Sequence, residues 1–329
     1  MVRFLAGGYG PGLRGLAAGI GLAVGRADGG LEWTGLAAGI PSPSWLAGRG
    51  GVVHAALEET GEIASFRLER DGLALLSRHL TAGGAPCHVA VAGGSLVVAC
   101  YGSGAVGVHP LAADGSAGGL AQVLPGRGSG PLPAQAGPHA HHVLPLPDGR
   151  VLTTDLGADQ VHLHRRDDRG LARIGSISLP AGTGPRDLLA LPGGEIAVLA
   201  EWGATVHLLV PEAGTFVVGS ATVLPDAVGA QPAGLVCSAD GRQLYAGVRG
   251  PNLVVHLRHR RGRLRVVGQV PSGGDWPRSL LVAGGLLHVT NQRSGTVASF
   301  RLAADGVPHP AGEPAPFPTP TCLLPVPVR

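Results

Sequence analysis

Two imidazoles two residues apart, His139 and His141, lie in the segment PHAHHV at residues 138–143, with His142 directly after them. On a strand, where side chains alternate with period two, His139 and His141 share one side and His142 takes the other. Imidazole is the side chain whose charge changes near neutral pH, so this pair is suited to moving protons. Three arginines stand in short recurring contexts: Arg186 in GPRD, Arg249 in GVRG and Arg278 in WPRS. A guanidinium fork matches carboxylate or phosphate. Glu58, Asp155 and Glu201, the amide of Asn291 and a further imidazole, His88, complete the set. Such residues together make an acid/base site that binds an anion.

Two other chemistries compete for the same residues. Histidines near Asp155 could hold zinc, but zinc needs compact ligands at about 2 Å. Calcium needs a cluster of carboxylate and amide oxygens, which Glu58, Asp155 and Asn291 would have to supply from separate segments. The excess of arginine opposes a cation, and no metal or other cofactor is expected. Cys87-His88 could form a nucleophile and base, though no third group to orient them is evident.

The elements that must position these residues repeat along the chain. Residues 138–166 read as a proline, an apolar run, an Asp148-Gly149 turn, a second run ending at Asp155 and a third alternating run, which are the signals of short antiparallel strands. The same order follows prolines at 41, 86, 138, 185, 232 and 277, spaced by 45, 52, 47, 47 and 45 residues. A period in this range, with several strands per unit, indicates a β-propeller. Residues 320–326 form one more proline-led apolar strand without partners, while strands at 4–8 and 15–24 lack a proline-led strand before them. Joining the two ends gives an all-β, seven-bladed β-propeller, a single domain over residues 1–329, whose closing blade is shared between N- and C-terminal strands. Closure also removes two exposed sheet edges.

This geometry decides which residues can meet. If each proline-led strand lines the central channel, its start and the end of the antiparallel strand beside it fall at one mouth. The residues gathered there are Glu58, Glu59, Cys87, His88, Tyr101, His139, His141, Asp155, Arg186, Asp187, Glu201, Trp202, Arg249, Arg278, Asn291 and Gln292. By contrast, Arg165, Arg166, Arg169 and the basic run at 258–265 fall on outer strands and turns as a solvated rim.

Bulk properties exclude several classes. No lysine is present among the 25 basic residues, so Schiff-base chemistry is out, and a net charge of +3 without a clustered basic face argues against nucleic acid. The motif GPGLRG at residues 10–15 matches a dinucleotide fingerprint. With 56 glycines in the chain chance matches are common, and the glycines that follow oppose the required helix. Glycines also break the apolar start of the chain, so neither a signal peptide nor a membrane span is expected. The four cysteines show no C-x-x-C spacing. A cytoplasmic, disulfide-free monomer is the expectation.

The segment PHAHHVLPLPDGRVLTTDLGADQV resembles the PHAHSV…DPDGR…DLGAD pattern of the bacterial lactonase family of seven-bladed propellers, which includes a 6-phosphogluconolactonase and is related to a fungal carboxy-cis,cis-muconate cyclase. PCH…YGSGAVGVHPL, GPRDLLALPGG, SADGRQLYAGVRG and NQRSGTVASFRL extend the resemblance over essentially the whole chain. The family's GPRH reads Gly184-Pro185-Arg186-Asp187 here, and its Asn-Glu pairs read Leu57-Glu58 and Ala200-Glu201. The resemblance implies a catalytic set of His141 or His139, Arg186, Glu201 and Arg249. It implies hydrolysis of a small anionic sugar lactone, with His141 as general base on water, Arg186 and Arg249 holding the anion and the oxyanion, and Glu201 orienting the histidine or shuttling a proton. Arg278, Asn291, Asp155, His88 and Glu58 would bind substrate. A muconate-type cycloisomerase using the same residues, or a propeller that binds small anions or a protein without catalysis, are the alternatives.

Overall fold

The computed structural model describes residues 2–167, 170–226 and 229–327. Seven strands line a central channel: Pro43–Arg49, Pro86–Ala92, Ala140–Pro145, Pro185–Ala190, Gln231–Cys237, Pro277–Ala283 and Pro320–Val326. Each packs against the channel strand of the next blade, and the last packs against the first, so the ring is closed. From each, antiparallel strands step outward to make a sheet of four. In the sixth blade the third strand, Thr296–Leu302, instead takes two short edge segments, Pro308–Pro310 and Ala315–Pro316. The closing blade runs Pro320–Val326, Arg3–Gly8, Gly19–Gly25, Leu31–Gly39, one strand from the C-terminal end and three from the N-terminal end. The fold is the all-β, seven-bladed β-propeller expected.

Some boundaries differ from expectation. Pro41 and Pro138 each stand two residues ahead of the position that proline holds in the other blades, which Pro43 and Ala140 occupy. The strand expected at 15–24 begins at Gly19, because residues Pro11–Leu13 form one turn of 3-10 helix and Arg14 follows in the left-handed region at φ 58°. Gly15 then lies so close to the Tyr9 carbonyl that a Cβ would meet its oxygen at 2.0 Å. GPGLRG is therefore a tight turn, with no helix behind it.

The core is divided rather than central. Seven clusters of buried apolar side chains each fill the gap between two neighbouring blades. Leu152 and Leu163 of the third blade against Leu188 and Val198 of the fourth are typical. Each such leucine contributes about 1.5–3 kcal/mol on full burial. The strands consequently read as nearly continuous apolar runs, and the axis is left to polar side chains. At the periphery, Arg258, Arg260, Arg263 and Arg265 are exposed on the outer hairpin of the fifth blade, as Arg165 is on the third; Arg169 lies outside the described residues. All four cysteines are unpaired. Among the described residues no helix is long and apolar enough to cross a membrane.

Candidate active site

A repeated irregularity builds the site. One or two residues into every channel strand the pairing slips, leaving an extra residue opposite its neighbour. A bulge of this kind re-aims a side chain. The re-aimed residues are small in four blades (Ser44, Cys87, Ala233 and Thr321) and large and polar in three (His141, Arg186 and Arg278), and all seven line one cavity. That cavity holds only about 20 Å³, room for roughly one water. A ligand must therefore sit above this ring.

A second ring frames the mouth. The residue after each second strand donates its main-chain N–H to the carbonyl of the residue preceding the channel strand. Examples are Glu201 to Gly184 at 2.8 Å, Tyr101 to Ala85 at 2.9 Å, Tyr9 to Thr319 at 3.1 Å and Glu58 to Ser42 at 3.2 Å. Arg249 and Gln292 take the same place in the fifth and sixth blades. Most of the accepting residues are themselves in the left-handed region: Ser42 at φ 41°, Ala85 at 54°, Gly184 at 62° and Thr319 at 48°. Backbone strain of this sort collects at functional sites.

The fourth and fifth blades supply the most tightly coupled charges. Arg186 Nη1 bonds Glu201 Oε2 at 2.5 Å, and Arg249 Nη2 approaches the same oxygen at 2.9 Å as an ion pair whose N–H is poorly aligned for a hydrogen bond. Each guanidinium is held from behind by its Nε, Arg186 on the Ala233 carbonyl at 3.1 Å and Arg249 on that of Gln231 at 2.8 Å. Burial works to raise the Glu201 pKa, but the two arginines more than offset it and hold the carboxyl below its usual range. Burial, opposed by Glu201 and reinforced by Arg186 and Arg278, brings Arg249 down to about 9, still cationic at neutral pH.

On the other side of the mouth Arg278 donates Nη2 to the Tyr9 hydroxyl, which in turn donates to the Glu58 carboxylate at 3.0 Å. Its guanidinium also lies 4.7 Å from the Tyr9 ring centroid. Tyr9 was not among the residues singled out from the sequence. It directly follows the second strand of the closing blade, Arg3–Gly8, as Glu58 and Glu201 follow theirs, so the rule that yields those two would have yielded it too.

His141 completes the cluster. Its Nδ1 is buried without a partner, and burial, with Arg186 and Arg278 nearby, holds its pKa well below the ordinary value. It is a neutral imidazole beside the guanidiniums of Arg186 and Arg278. Cys87 gives its thiol to the carbonyls of Ala99, Ala140 and His141 at 3.5–3.8 Å, and burial pushes its pKa up, which disfavours the thiolate a nucleophile needs.

Three of the expected residues, Asp155, Asn291 and His139, lie elsewhere. Asp155 and Asn291 come one position too early: they end their strands, in register with Ala140 and Pro277, and alternation turns them away from the axis. Asp155 Oδ1 accepts the main-chain N–H groups of His139, Gly157 and Ala158 at 2.8–3.2 Å, and Asn291 Nδ2 donates to the Ser272 carbonyl at 3.0 Å. His88 does line the cavity, in the layer next to the re-aimed residues, between Trp45 at 4.4 Å and His142 at 3.9 Å, with His142 Nδ1 on Asp187 Oδ1 at 2.5 Å. His139 precedes the strand and does not line the cavity with His141; its ring lies flat on Tyr101 at 4.4 Å. Among the described residues no three or more His, Cys, Asp or Glu side chains gather as a metal site would require.

A closed seven-bladed propeller with one arginine-rich, histidine-bearing mouth is the class of protein that the fold and site define. Residues 6–325 match the seven-bladed β-propeller lactonase family, and the chain belongs to that family. It is 29% identical over 284 residues to the 6-phosphogluconolactonase of Bacillus subtilis, covering 80% of this chain and 81% of that one. Two solved structures superpose closely. A 6-phosphogluconolactonase described as putative from Bacteroides fragilis gives a TM-score of 0.90 at 26% identity, covering 99% of this chain and 98% of its own. A periplasmic gluconolactonase from Pseudomonas aeruginosa gives 0.91 at 26% identity, covering 100% and 99%.

Proposed function

We propose that the protein hydrolyses the ring ester of a small anionic sugar lactone at the mouth lined by His141, Arg186, Glu201 and Arg249. The observation that carries this reading is the buried His141 Nδ1, which has no hydrogen-bond partner. A buried polar atom without a partner is costly, and a ligand would relieve it. Three guanidiniums stand there with the carboxylates of Glu201 and Glu58, and their remaining N–H groups suit an anionic ligand.

In this reading neutral His141 removes a proton from water as the water oxygen attacks the lactone carbonyl carbon. The carbonyl π electrons move to oxygen, where Arg186 and Arg249 stabilise the charge. As the carbonyl re-forms, the ring C–O bond breaks and the leaving alkoxide takes the proton from His141. Glu201 holds the two arginines at fixed spacing throughout. The depressed pKa of His141 keeps its base form present at neutral pH. Hydrolysis should accordingly stay flat down through pH about 6.5, the ordinary histidine value, and fall only well to the acid side of it. A panel of phosphorylated and unphosphorylated aldonolactones followed by pH-stat, with and without chelator, tests this. Chelator-insensitive turnover is expected; loss of turnover with chelator, or no turnover of any lactone, would overturn it.

A further inference from the structure

The rim residue of the second blade, Tyr101, has no role in the chemistry above, yet it is built into the same frame. Its main-chain N–H bonds the Ala85 carbonyl as that of Glu201 bonds Gly184. Its ring stands edge-on to His141, with centroids 6.3 Å apart and planes at 88°. Among the described residues no group hydrogen-bonds its hydroxyl. Beyond burial, which raises its pKa, the charges acting on the phenol include Glu201, Arg186 and Arg249, the cluster that faces the ligand.

His139 holds this phenol in place. The two rings lie 4.4 Å apart at 15°, and His139 Nδ1 bonds the Tyr101 main-chain carbonyl at 2.9 Å. A carbonyl only accepts, so Nδ1 carries the proton. The His139 main chain is fixed as well, its N–H on Asp155 Oδ1 at 2.8 Å and its carbonyl on the Leu156 N–H at 2.9 Å. Asp155 therefore fixes His139, and His139 fixes Tyr101.

We infer that Tyr101 is a substrate-contacting residue whose hydroxyl hydrogen-bonds a hydroxyl or ring oxygen of the bound lactone, and that His139 is its positioning residue and moves no proton. This rests on the lactonase reading for the identity of the ligand. A free phenol on a rigid stack beside an anion site suits a polyhydroxylated ring, which offers acceptors on every face.

The test is a double-mutant cycle of Tyr101→Phe and His139→Ala, with His139→Phe as the variant that keeps a flat ring. Two quantities are read: KM and kcat on the lactone turned over best, and calorimetric affinity for the matching open-chain aldonate. Tyr101→Phe keeps the stack and should fold. It should raise KM and weaken aldonate binding about 3- to 10-fold, the worth of one neutral hydrogen bond, with a smaller effect on kcat. His139→Ala should do the same, the double variant should be no worse than either single one, and His139→Phe should recover most of the loss.

Unchanged KM and affinity in Tyr101→Phe would overturn the contact. A fall of 100-fold or more in kcat for folded His139→Ala, with a shifted pH profile, would overturn the positioning role, as would additive losses in the double variant. A wild-type protein that binds aldonate but opens no lactone would sink the lactonase reading and leave the cycle readable by calorimetry. One that binds no aldonate would sink both.

Discussion

At the scale of residues, the site is organised around Glu201, whose one oxygen serves Arg186 and Arg249 together. Its removal should be felt in two ways. Glu201→Gln leaves two nearly buried guanidiniums facing each other, and the loss of stability should reach about 3–5 kcal/mol, as for other broken buried pairs. Arg186→Ala leaves Glu201 with Arg249 as partner and should cost less stability, while lowering kcat/KM by about 10²–10³ if Arg186 stabilises the oxyanion. Urea titration and steady-state kinetics on the same preparations separate the two effects. A folded Arg186→Ala enzyme with unaltered turnover would show that the pair is only a lock. The polar types at the mouth were legible in the sequence because charge is rare at the ends of apolar strands. Which atom meets which was not: Asp155 and Asn291 differ from Glu201 by one step of strand register, and one step reverses the direction of a side chain.

At the scale of elements, the blade is legible and its bulge is not. Proline, apolar run, turn and apolar run announce the two inner strands of each repeat, and the seven-blade count follows from matching the ends of the chain. The slip near the start of each channel strand leaves no mark in composition, yet it aims Arg186, His141 and Arg278 at the axis. Pro138 misled for a related reason: Ala140 holds the structural position, and His139 belongs to the approach to the strand. The shared blade yields a direct test. Deleting residues 1–25 removes Arg3–Gly8 and Gly19–Gly25, strips Pro320–Val326 of its partner and takes Tyr9 from Arg278 and Glu58. Cooperative thermal unfolding should be lost; an unchanged melting curve would refute the closure.

At the scale of the whole molecule, histidines are also structural members. His54 bonds Ser65 at 3.0 Å and His288 bonds Ser299 at 2.8 Å, at equivalent places in the first and sixth blades. Burial brings both pKa values down to about 4, and that of His164 to about 3. In the unfolded chain such groups take up protons near pH 6.5, before the folded chain does. Their contribution is therefore intact above about 6.5 and is lost as pH falls towards 4. A shift of this size corresponds to roughly 3 kcal/mol for each of His54 and His288, large against a total of about 5–15 kcal/mol. The urea midpoint should be level from pH 8 to 7 and decline steadily from pH 6.5 to 4.5. A midpoint level down to pH 5 would remove these histidines from the acid response.

The closing blade also sets an order of events. Tyr9 is made before the six other blades, whereas the strand that seats it, Pro320–Val326, follows all of them, and Arg278 comes only shortly before that strand. A ribosome-bound chain can have five blades complete and still lack a finished binding mouth. Assembly of the mouth in this way waits on the last channel strand, and a chain cut short after the sixth blade would leave the ring open and Tyr9 unseated.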